Sequence, residues 1–235
     1  MIRLLHRIRR EDRGVSLAEL LVAMSVGVLV LAMAGAFFVS VARASATGTG
    51  VDANTRVSTT VMREVQRMLR VASNNPVQSG TDTQYAFQYA SATSVRFFAY
   101  INLNSAVEVQ PVEVQFTLDP TKGTITETKW SGTPTDPTKT YFDFPRSATA
   151  ALSDTPTSTI ILGTNVVPGT LFTYRDAGNN PLTPTAAGLS DADLQAVRSV
   201  TFSVTVGEKD LTRLAAADNV TLTSTVSMPN LQFGP

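Results

Sequence analysis

The residues with the clearest chemical potential lie near the start of the chain, where a glycine and a carboxylate precede a long apolar stretch. Glu19 follows Gly14 by five residues, and no charged residue occurs over residues 20–42. An unpaired charge in an apolar phase is costly, by about 2.5–3.5 kcal/mol at the centre of a bilayer and less near its edge. The position of Glu19, at the edge of this apolar stretch, therefore calls for an explanation.

The rest of the chain offers few residues for catalysis or metal binding. It has no cysteine and one histidine, His6, which excludes disulfides, thiolate chemistry, His-based triads and multi-histidine metal sites. We find neither a phosphate-binding loop nor a nucleophile elbow. Asp176, Asn179 and Asn180 could ligate calcium, but their spacing fits no EF-hand and such clusters usually form turns. The sequence thus predicts no enzymatic activity, no metal site and no cofactor.

Composition and charge favour a β-rich protein without a general affinity for polyanions. The 235 residues are 43% hydrophobic and 16% charged. They are rich in Thr, Ser, Ala and Val, which suit a half-exposed sheet. The net charge is zero but uneven, because residues 1–14 carry five arginines against two acids and leave the remainder acidic. A chain of this charge gives no general reason to bind nucleic acid or an anionic surface.

The uncharged segment at residues 20–42 is long enough to cross a membrane as a helix. It would span roughly 35 Å at about 1.5 Å per residue, against a hydrocarbon core of about 30 Å. The basic flank predicts a cytoplasmic N-terminus and an extracytoplasmic remainder. Small residues four apart, Ala23 with Gly27 and Ala32 with Ala36, suit close helix packing, although such residues are also common in membrane spans.

Three interpretations of this segment compete. A secretory signal peptide would explain the basic flank and the small residues at 44–46, but the apolar region exceeds the usual ~7–15 residues. A plain signal anchor explains the length and the orientation but leaves Glu19 without a role. The third interpretation accounts for the glycine, the acid and the apolar run together.

This third interpretation is a resemblance to type IV prepilins and pseudopilins, and it rests on the run GVSLAELLV at residues 14–22. The family pattern is glycine and then commonly Phe-Thr-Leu-Ile-Glu-Leu-Leu-Val. Gly14, Leu17, Glu19 and the following Leu-Leu-Val match in register, whereas Val15 and Ala18 depart from it. Many major pilins also carry a proline in this helix where this sequence has alanine, which favours a minor pilin or pseudopilin.

The resemblance implies how the N-terminal segment works. A prepilin peptidase would cut after Gly14 and methylate the new amine of Val15, and Glu19 would pair with the terminal amine of a neighbouring subunit. The alternative is that Glu19 has no partner and is stabilised only by the positive end of the helix dipole. The residues that we expect in the membrane or the filament core include Leu20, Leu21, Val22, Gly27, Phe37 and Phe38.

After the apolar segment, residues 47–75 are predicted to form the amphipathic second half of the N-terminal helix. Gly48 and Gly50 favour a bend or a melted stretch, Asp52 is a candidate N-cap, and Pro76 marks the end. Apolar residues at helical spacing predict a face for a sheet: Val57, Val61, Val65, Met68 and Ala72. Arginines without interleaved aromatics lie mostly off this face and indicate a solvated surface more than a nucleic-acid contact: Arg56, Arg63, Arg67 and Arg70.

Residues 76–235 are predicted to form a β-rich head. Strand patterns occur at 83–90, 94–103, 107–119, 123–130, 158–163, 169–177, 197–206 and 220–228. Pro111 suggests an edge strand or a bulge, and residues 131–157 a long loop. Ser190 is predicted to cap a short helix with Asp193 in its first turn. The last two strands should pair and close the sheet, while Trp130 and the aromatics between 85 and 100 should be core.

The predicted fold is therefore α+β, with a leader at 1–14, a membrane or filament-core helix at 15–46, its amphipathic half at 47–75 and a head at 76–235. The predicted function is that of a minor pilin or pseudopilin of a type IV pilus or a type II secretion-like filament. Its expected partners are prepilin peptidase, other pilin subunits, an inner-membrane assembly platform and membrane lipid; nucleic acid is not expected. The alternatives are a membrane-tethered adhesin that does not polymerise and a secreted domain released near Ala46.

Overall fold

The regular elements of the described residues are a long helix, two short helices, two larger antiparallel sheets and a two-stranded hairpin. The computed structural model describes residues 16–78, 84–101, 110–144, 155–209 and 218–232. Helix α1 spans Leu17–Arg70. The chain divides into two compact units, of which the first ends at Thr47 and the second begins at Gly48. The expected α+β class is confirmed.

Helix α1 continues through the residues that we expected to interrupt it. Gly48 and Gly50 are helical, so the predicted melted stretch is wrong, and Asp52 is an interior residue rather than an N-cap. At Gly50 the missing side chain leaves room for Asp218, whose Oδ2 would lie 2.6 Å from an added Cβ. Asn54 Nδ2 also donates to the carbonyl of Asp218 at 2.9 Å. These contacts help to offset the cost of a glycine inside a helix, which is about 1 kcal/mol.

The C-terminal end of α1 is set by the sheet. The helix ends at Arg70, five residues before the predicted end at 75. Ala72 forms an antiparallel bridge with Ala99, and Asn75 forms one with Gln84. Residues after Arg70 therefore pair with the head through these bridges before the chain reaches the proline.

The head contains strands that are named here in chain order. They are β1 Phe87–Ala90, β2 Ser94–Ile101, β3 Gln110–Asp119, β4 Thr124–Ser131, β5 Thr133–Pro134, β6 Phe142–Asp143, β7 Ser158–Gly163, β8 Phe172–Arg175, β9 Pro181–Leu182, β10 Ser199–Val206 and β11 Val220–Ser227. The larger sheet has the order β1-β2-β3-β4-β7, and every neighbouring pair in it is antiparallel. The small hairpin β5-β6 lies within the predicted long loop, of which residues 145–154 are outside the described part.

The last two strands form a second sheet instead of closing the first. Its order is β11-β10-β8-β9. The predicted antiparallel pairing is confirmed, with Val200 opposite Val226 and Val206 opposite Val220. The prediction that this pair closes the larger sheet is wrong, because the other neighbour of β10 is β8. The predicted short helix is confirmed as α2, Asp191–Ala196, and Ser190 Oγ caps it by accepting from the backbone N–H of Asp193.

One hydrophobic core joins the second half of α1 to the inner faces of both sheets. The buried residues of the helix are Ser58, Val61, Met62, Val65, Met68 and Leu69, which confirms most of the predicted apolar face. Val57 is half-buried. At β7 the helix is so close that a Cβ added to Gly163 would lie 2.7 Å from Val61 Cγ2. Glycine at this position allows the helix to pack against the strand.

A separate aromatic cluster lies on the opposite face of the larger sheet. It contains Phe98, Trp130, Phe142 and Phe144, and the rings of Phe98 and Phe144 are 4.8 Å apart. The prediction that Trp130 is a core residue is confirmed. The hairpin β5-β6 supplies Phe142, so part of the predicted loop covers this face.

Two residues depart from the sequence expectation. Pro111 belongs to β3, which has strands on both sides, and the strand is neither an edge nor bulged there. It is tolerated near the strand start because it pairs only with Tyr100 of β2, and the register with β4 begins at the next residue. Tyr85 was expected in the core, but 46% of its surface is exposed because it precedes β1.

Candidate functional site

The start of α1 is closed by a reciprocal pair of hydrogen bonds between Ser16 and Glu19. The backbone N–H of Glu19 donates to Ser16 Oγ at 3.1 Å, and the backbone N–H of Ser16 donates to Glu19 Oε2 at 3.0 Å. This arrangement is a capping box, and it satisfies two of the N–H groups that a helix start leaves without partners. The Glu19 carboxylate is thereby held at the first turn of the apolar helix.

The residues of the expected processing site are only partly within the described chain. Gly14 and Val15 lie outside the described residues, so the expected cleavage and methylation stay predictions. Val15 is bonded directly to Ser16, whose N–H already binds Glu19. Cleavage after Gly14 would therefore create an amine one residue before the N–H that binds Glu19, and four residues before Glu19 in the sequence.

The expected membrane residues all lie on an exposed part of α1. The structure leaves every residue from 16 to 49 exposed, including Leu20, Leu21, Val22, Gly27, Phe37 and Phe38. Phe37 and Phe38 have 72% and 74% of their surface exposed. Among the described residues, α1 is the one helix that is long and apolar enough to span a membrane. Such an apolar surface requires lipid or protein around it.

Glu19 shares one face of the helix with small residues. A shallow surface groove runs past Glu19, Ala23 and Gly27, which are spaced four apart, and it is also lined by Ala18, Val22 and Val26. Apart from its chain neighbours and the backbone of its own helix, no described heavy atom lies within 4 Å of a Cβ added to Gly27. A second helix could approach the backbone closely on this face.

The second unit contains a cluster of charges between α1 and β4. Lys129 Nζ lies 2.8 Å from Glu127 Oε2 and 3.5 Å from Glu64 Oε1, and Arg67 Nη2 lies 2.6 Å from Glu64 Oε1. The hydrogen bond from Arg67 lowers the pKa of Glu64 to about 2. Burial raises the pKa of Glu127, whose side chain is only 2% exposed. This cluster, which we call the interface ion cluster, has the features of a structural contact rather than a catalytic site.

The expected turn at Asp176 is confirmed by its hydrogen bonds. Asp176 Oδ1 accepts from the backbone N–H of Asn180 at 2.8 Å, and Oδ2 accepts from Asn180 Nδ2 at 2.9 Å. These donors lower the pKa of the Asp176 carboxyl. Among the described residues, no three His, Cys, Asp or Glu side chains come together as metal ligands would.

The four arginines in the second half of α1 are exposed, as the sequence predicted. They are Arg56, Arg63, Arg67 and Arg70. Arg67 is engaged by Glu64, which reduces the basic character of this surface. The geometry adds nothing that favours nucleic acid.

Sequence reasoning identified Glu19 but missed Ser16. The signal was present, because Ser-x-x-Glu at residues 16–19 is the sequence pattern of a capping box before an apolar run. The same reasoning was applied correctly to Ser190. Glu19 therefore has two roles to weigh, a helix cap within the chain and a partner for a cation.

Comparison with known families agrees with the local geometry at the helix start. A family model of the prokaryotic N-terminal methylation motif matches residues 9–35, which include Gly14, Glu19 and the first half of the apolar segment. No curated protein matches the chain. The family with this motif is structural rather than catalytic, and the motif and the apolar helix together indicate membrane anchoring. The chain is a type IV prepilin-like protein.

Proposed function

We propose that this protein is a minor pilin or pseudopilin that is cut after Gly14, methylated at Val15 and assembled through α1 into a type IV pilus or a type II secretion-like filament. The observation that carries the proposal is the position of Glu19, a carboxylate within the matched motif at the first turn of α1 and directly before the exposed, uncharged residues 20–42. Before cleavage the basic leader faces the cytoplasm and the head is extracytoplasmic, in keeping with the positive-inside rule.

Cleavage changes the electrostatics of the helix start. It removes the leader, which carries five arginines and two acids, and creates a single cationic amine at Val15. Two unit charges 4 Å apart attract each other by about 4 kcal/mol at an effective dielectric constant of about 20, before desolvation is subtracted. A neighbouring subunit that places its amine beside Glu19 gains part of this energy, so the carboxylate favours one stacking register.

The face that Glu19 occupies supports this contact. Ala23 and Gly27 lie one and two turns farther along the same face, and their small side chains permit close approach of a second helix. Membrane lipid covers the apolar surface before assembly, and neighbouring subunits replace it afterwards. Prepilin peptidase and an inner-membrane assembly platform are the partners that such a path requires.

The capping box provides a competing explanation, and a pair of variants separates the two. Gln at the third helical position can still complete a capping box, so Glu19→Gln keeps the cap and removes the charge. Ser16→Ala removes the capping side chain and keeps the charge of Glu19, and it should lower the stability of the helix start by about 1 kcal/mol. We expect Glu19→Gln to abolish incorporation into sheared filaments and Ser16→Ala to retain most of it.

The measurement is the ratio of this protein in the filament fraction to that in the membrane fraction of its native host. Both variants should be cleaved normally, which is checked by gel mobility. If Glu19→Gln enters filaments as well as the wild type does, the carboxylate acts only as a cap and the proposed pairing is wrong.

A further inference from the structure

A polar cleft opens on the head beside Tyr85, between α2 and the start of β1. Its outer part has a volume of about 260 Å³ and is lined by Tyr85, Gln88, Asp191 and Gln195, together with two apolar residues. A smaller inner part of about 60 Å³ continues from it and is bounded by Asn74, Arg198 and Asn230. The whole space is near the lower end of the ~300–1,000 Å³ that is usual for small-ligand sites.

An exposed aromatic ring dominates the outer part of the cleft. Tyr85 is 46% exposed, and among the described residues of the second unit it is the one exposed aromatic side chain. Phe87 lies beside it and is 2% exposed, so it closes the floor. An aromatic ring left open to solvent beside a cavity offers a flat apolar surface with a polar tip.

Side-chain amides surround this ring. Gln195 is exposed, and its amide has no hydrogen-bond partner among the described residues. Asn74 Oδ1 accepts from the backbone N–H of Ala86 at 2.9 Å, and its Nδ2 has no partner within the described part of the chain. Asn230 Nδ2 donates to the carbonyl of Ala72 at 3.4 Å, and its Oδ1 accepts from no other described residue. An amide offers two donors and an acceptor in one plane, so the cleft presents both kinds of group.

The charged residues at the rim do not favour an ionic ligand. Asp191 and Arg198 have opposite charges and contribute to different parts of the cleft. The Arg198 Nη1 group already donates to the carbonyls of Gln195 and Val197, at 2.7 and 2.9 Å. The available groups are therefore mostly neutral donors and acceptors around an aromatic surface.

An extended peptide is a poorer fit than a small ring. A peptide that added to the edge of the larger sheet would pair with β1. The carbonyl of Ala90 in β1 already accepts from the N–H of Leu189 at 2.8 Å. Thus residues next to α2 occupy part of the edge that such a peptide would need.

We propose that this cleft binds a neutral glycan, with one face of a pyranose ring on Tyr85 and its hydroxyl groups on the amides of Gln195, Asn74 and Asn230. A pyranose ring has an apolar face of C–H groups and an equatorial rim of hydroxyl groups that donate and accept hydrogen bonds. The apolar face matches the aromatic surface of Tyr85, and the hydroxyl groups match the neutral amides. All of the residues that line the cleft belong to the second unit, so binding is measured on the full-length protein without assembling filaments.

The test uses full-length protein in detergent and saturation-transfer NMR with soluble neutral tetrasaccharides, namely cellotetraose and the tetramer of N-acetylglucosamine. The size of the site predicts a dissociation constant of about 1 mM for a single bound ring. We expect Tyr85→Ala and Gln195→Leu to weaken binding at least fivefold each. The control Tyr85→Phe keeps the ring and should stay within twofold of the wild type. Both positions are exposed, so the variants should fold normally.

Several outcomes would overturn the proposal. One is the absence of saturable binding for both tetrasaccharides. Another is equal binding by the wild type and Tyr85→Ala, which would place the glycan elsewhere. A third is binding of a sulfated tetrasaccharide or an extended peptide at this cleft while the neutral sugars fail. None of these results would affect the proposed role of Glu19, because that role is measured by incorporation into filaments.

Discussion

Removing the cation from the interface ion cluster should destabilise the head in a way that depends on pH. Lys129 lies between two carboxylates, at 2.8 Å from Glu127 and 3.5 Å from Glu64. Glu64 keeps a second partner in Arg67, at 2.6 Å. Glu127 is 2% exposed, and Lys129 is the cation within ion-pair distance of it. In the variant Lys129→Met, Glu127 therefore either stays charged without a partner or takes up a proton.

The loss of folding stability in Lys129→Met can be estimated from these two options. Leaving one charge of a buried pair without its partner typically costs about 3–5 kcal/mol. Protonation of Glu127 sets an upper limit, because neutralising a carboxyl group of ordinary pKa 4.5 at pH 7 costs about 3.4 kcal/mol. At pH 5 the same step costs only about 0.7 kcal/mol. The raised pKa of Glu127 means that the wild type already bears part of this cost, so we expect a loss of up to about 3 kcal/mol at pH 7 and less than about 1 kcal/mol at pH 5.

The direction of the pH dependence follows from the pKa of each acid. Burial raises the pKa of Glu127, so the folded state favours its protonated form. The stability that protonated Glu127 gives the folded state is present below pH 4.5 and is lost as the pH rises through the folded pKa. The pKa of Glu64 is lowered to about 2, so its contribution is lost only as the pH falls from 4.5 towards 2. Between pH 5 and pH 7 the variant should report on Glu127 alone.

The assay is thermal unfolding of the full-length protein in detergent at pH 5 and pH 7. A loss of about 3 kcal/mol should lower the Tm by about 6–12 °C for a head of this size. Lys122→Met is the matched control, since Lys122 is 77% exposed and lies 3.6 Å from Asp119, and it should change the Tm little. Replacing Glu127 by Leu as well should recover most of the stability. Equal losses at both pH values, or a loss no larger than in the control, would refute the reasoning.

Two further predictions concern packing and capping in the head. Gly163→Ala should destabilise it by about 1–3 kcal/mol in urea denaturation, because the new Cβ would lie 2.7 Å from Val61 Cγ2; Gly169→Ala, which has open space around it, is the control and should be near neutral. Ser190→Ala should cost about 1 kcal/mol, because it removes the side chain that accepts from the N–H of Asp193. An unchanged denaturation midpoint in Ser190→Ala would mean that α2 does not depend on its cap.

The sequence was sufficient where structure depends on local patterns. The alternation of Val200, Phe202 and Val204 predicted a strand with one buried face, because side chains alternate across a sheet. The sheet to which this strand belongs could not be predicted, since it depends on pairing with β8 more than twenty residues earlier. The helical state of Gly50 was also not predictable, because Asp218 comes from the far end of the chain.

The two candidate sites also differ in whether the sequence alone could predict them. Glu19 could be found from the sequence, because the motif and the capping box occupy consecutive residues. The cleft at Tyr85 could not, because Asn74, Gln195 and Asn230 come from three distant segments that only the fold brings together. Sequence reasoning placed Tyr85 in the core, since an aromatic residue in a strand-like run is usually buried.

Assembly through α1 is tested by the mass of the N-terminal peptide of the protein purified from its native host. We expect a peptide that begins at Val15 and carries one methyl group on its amine. A chain that begins at Met1 would indicate a tethered protein that is never processed, and one that begins near Thr47 would indicate a secreted domain. Either result would contradict assembly through the N-terminal helix.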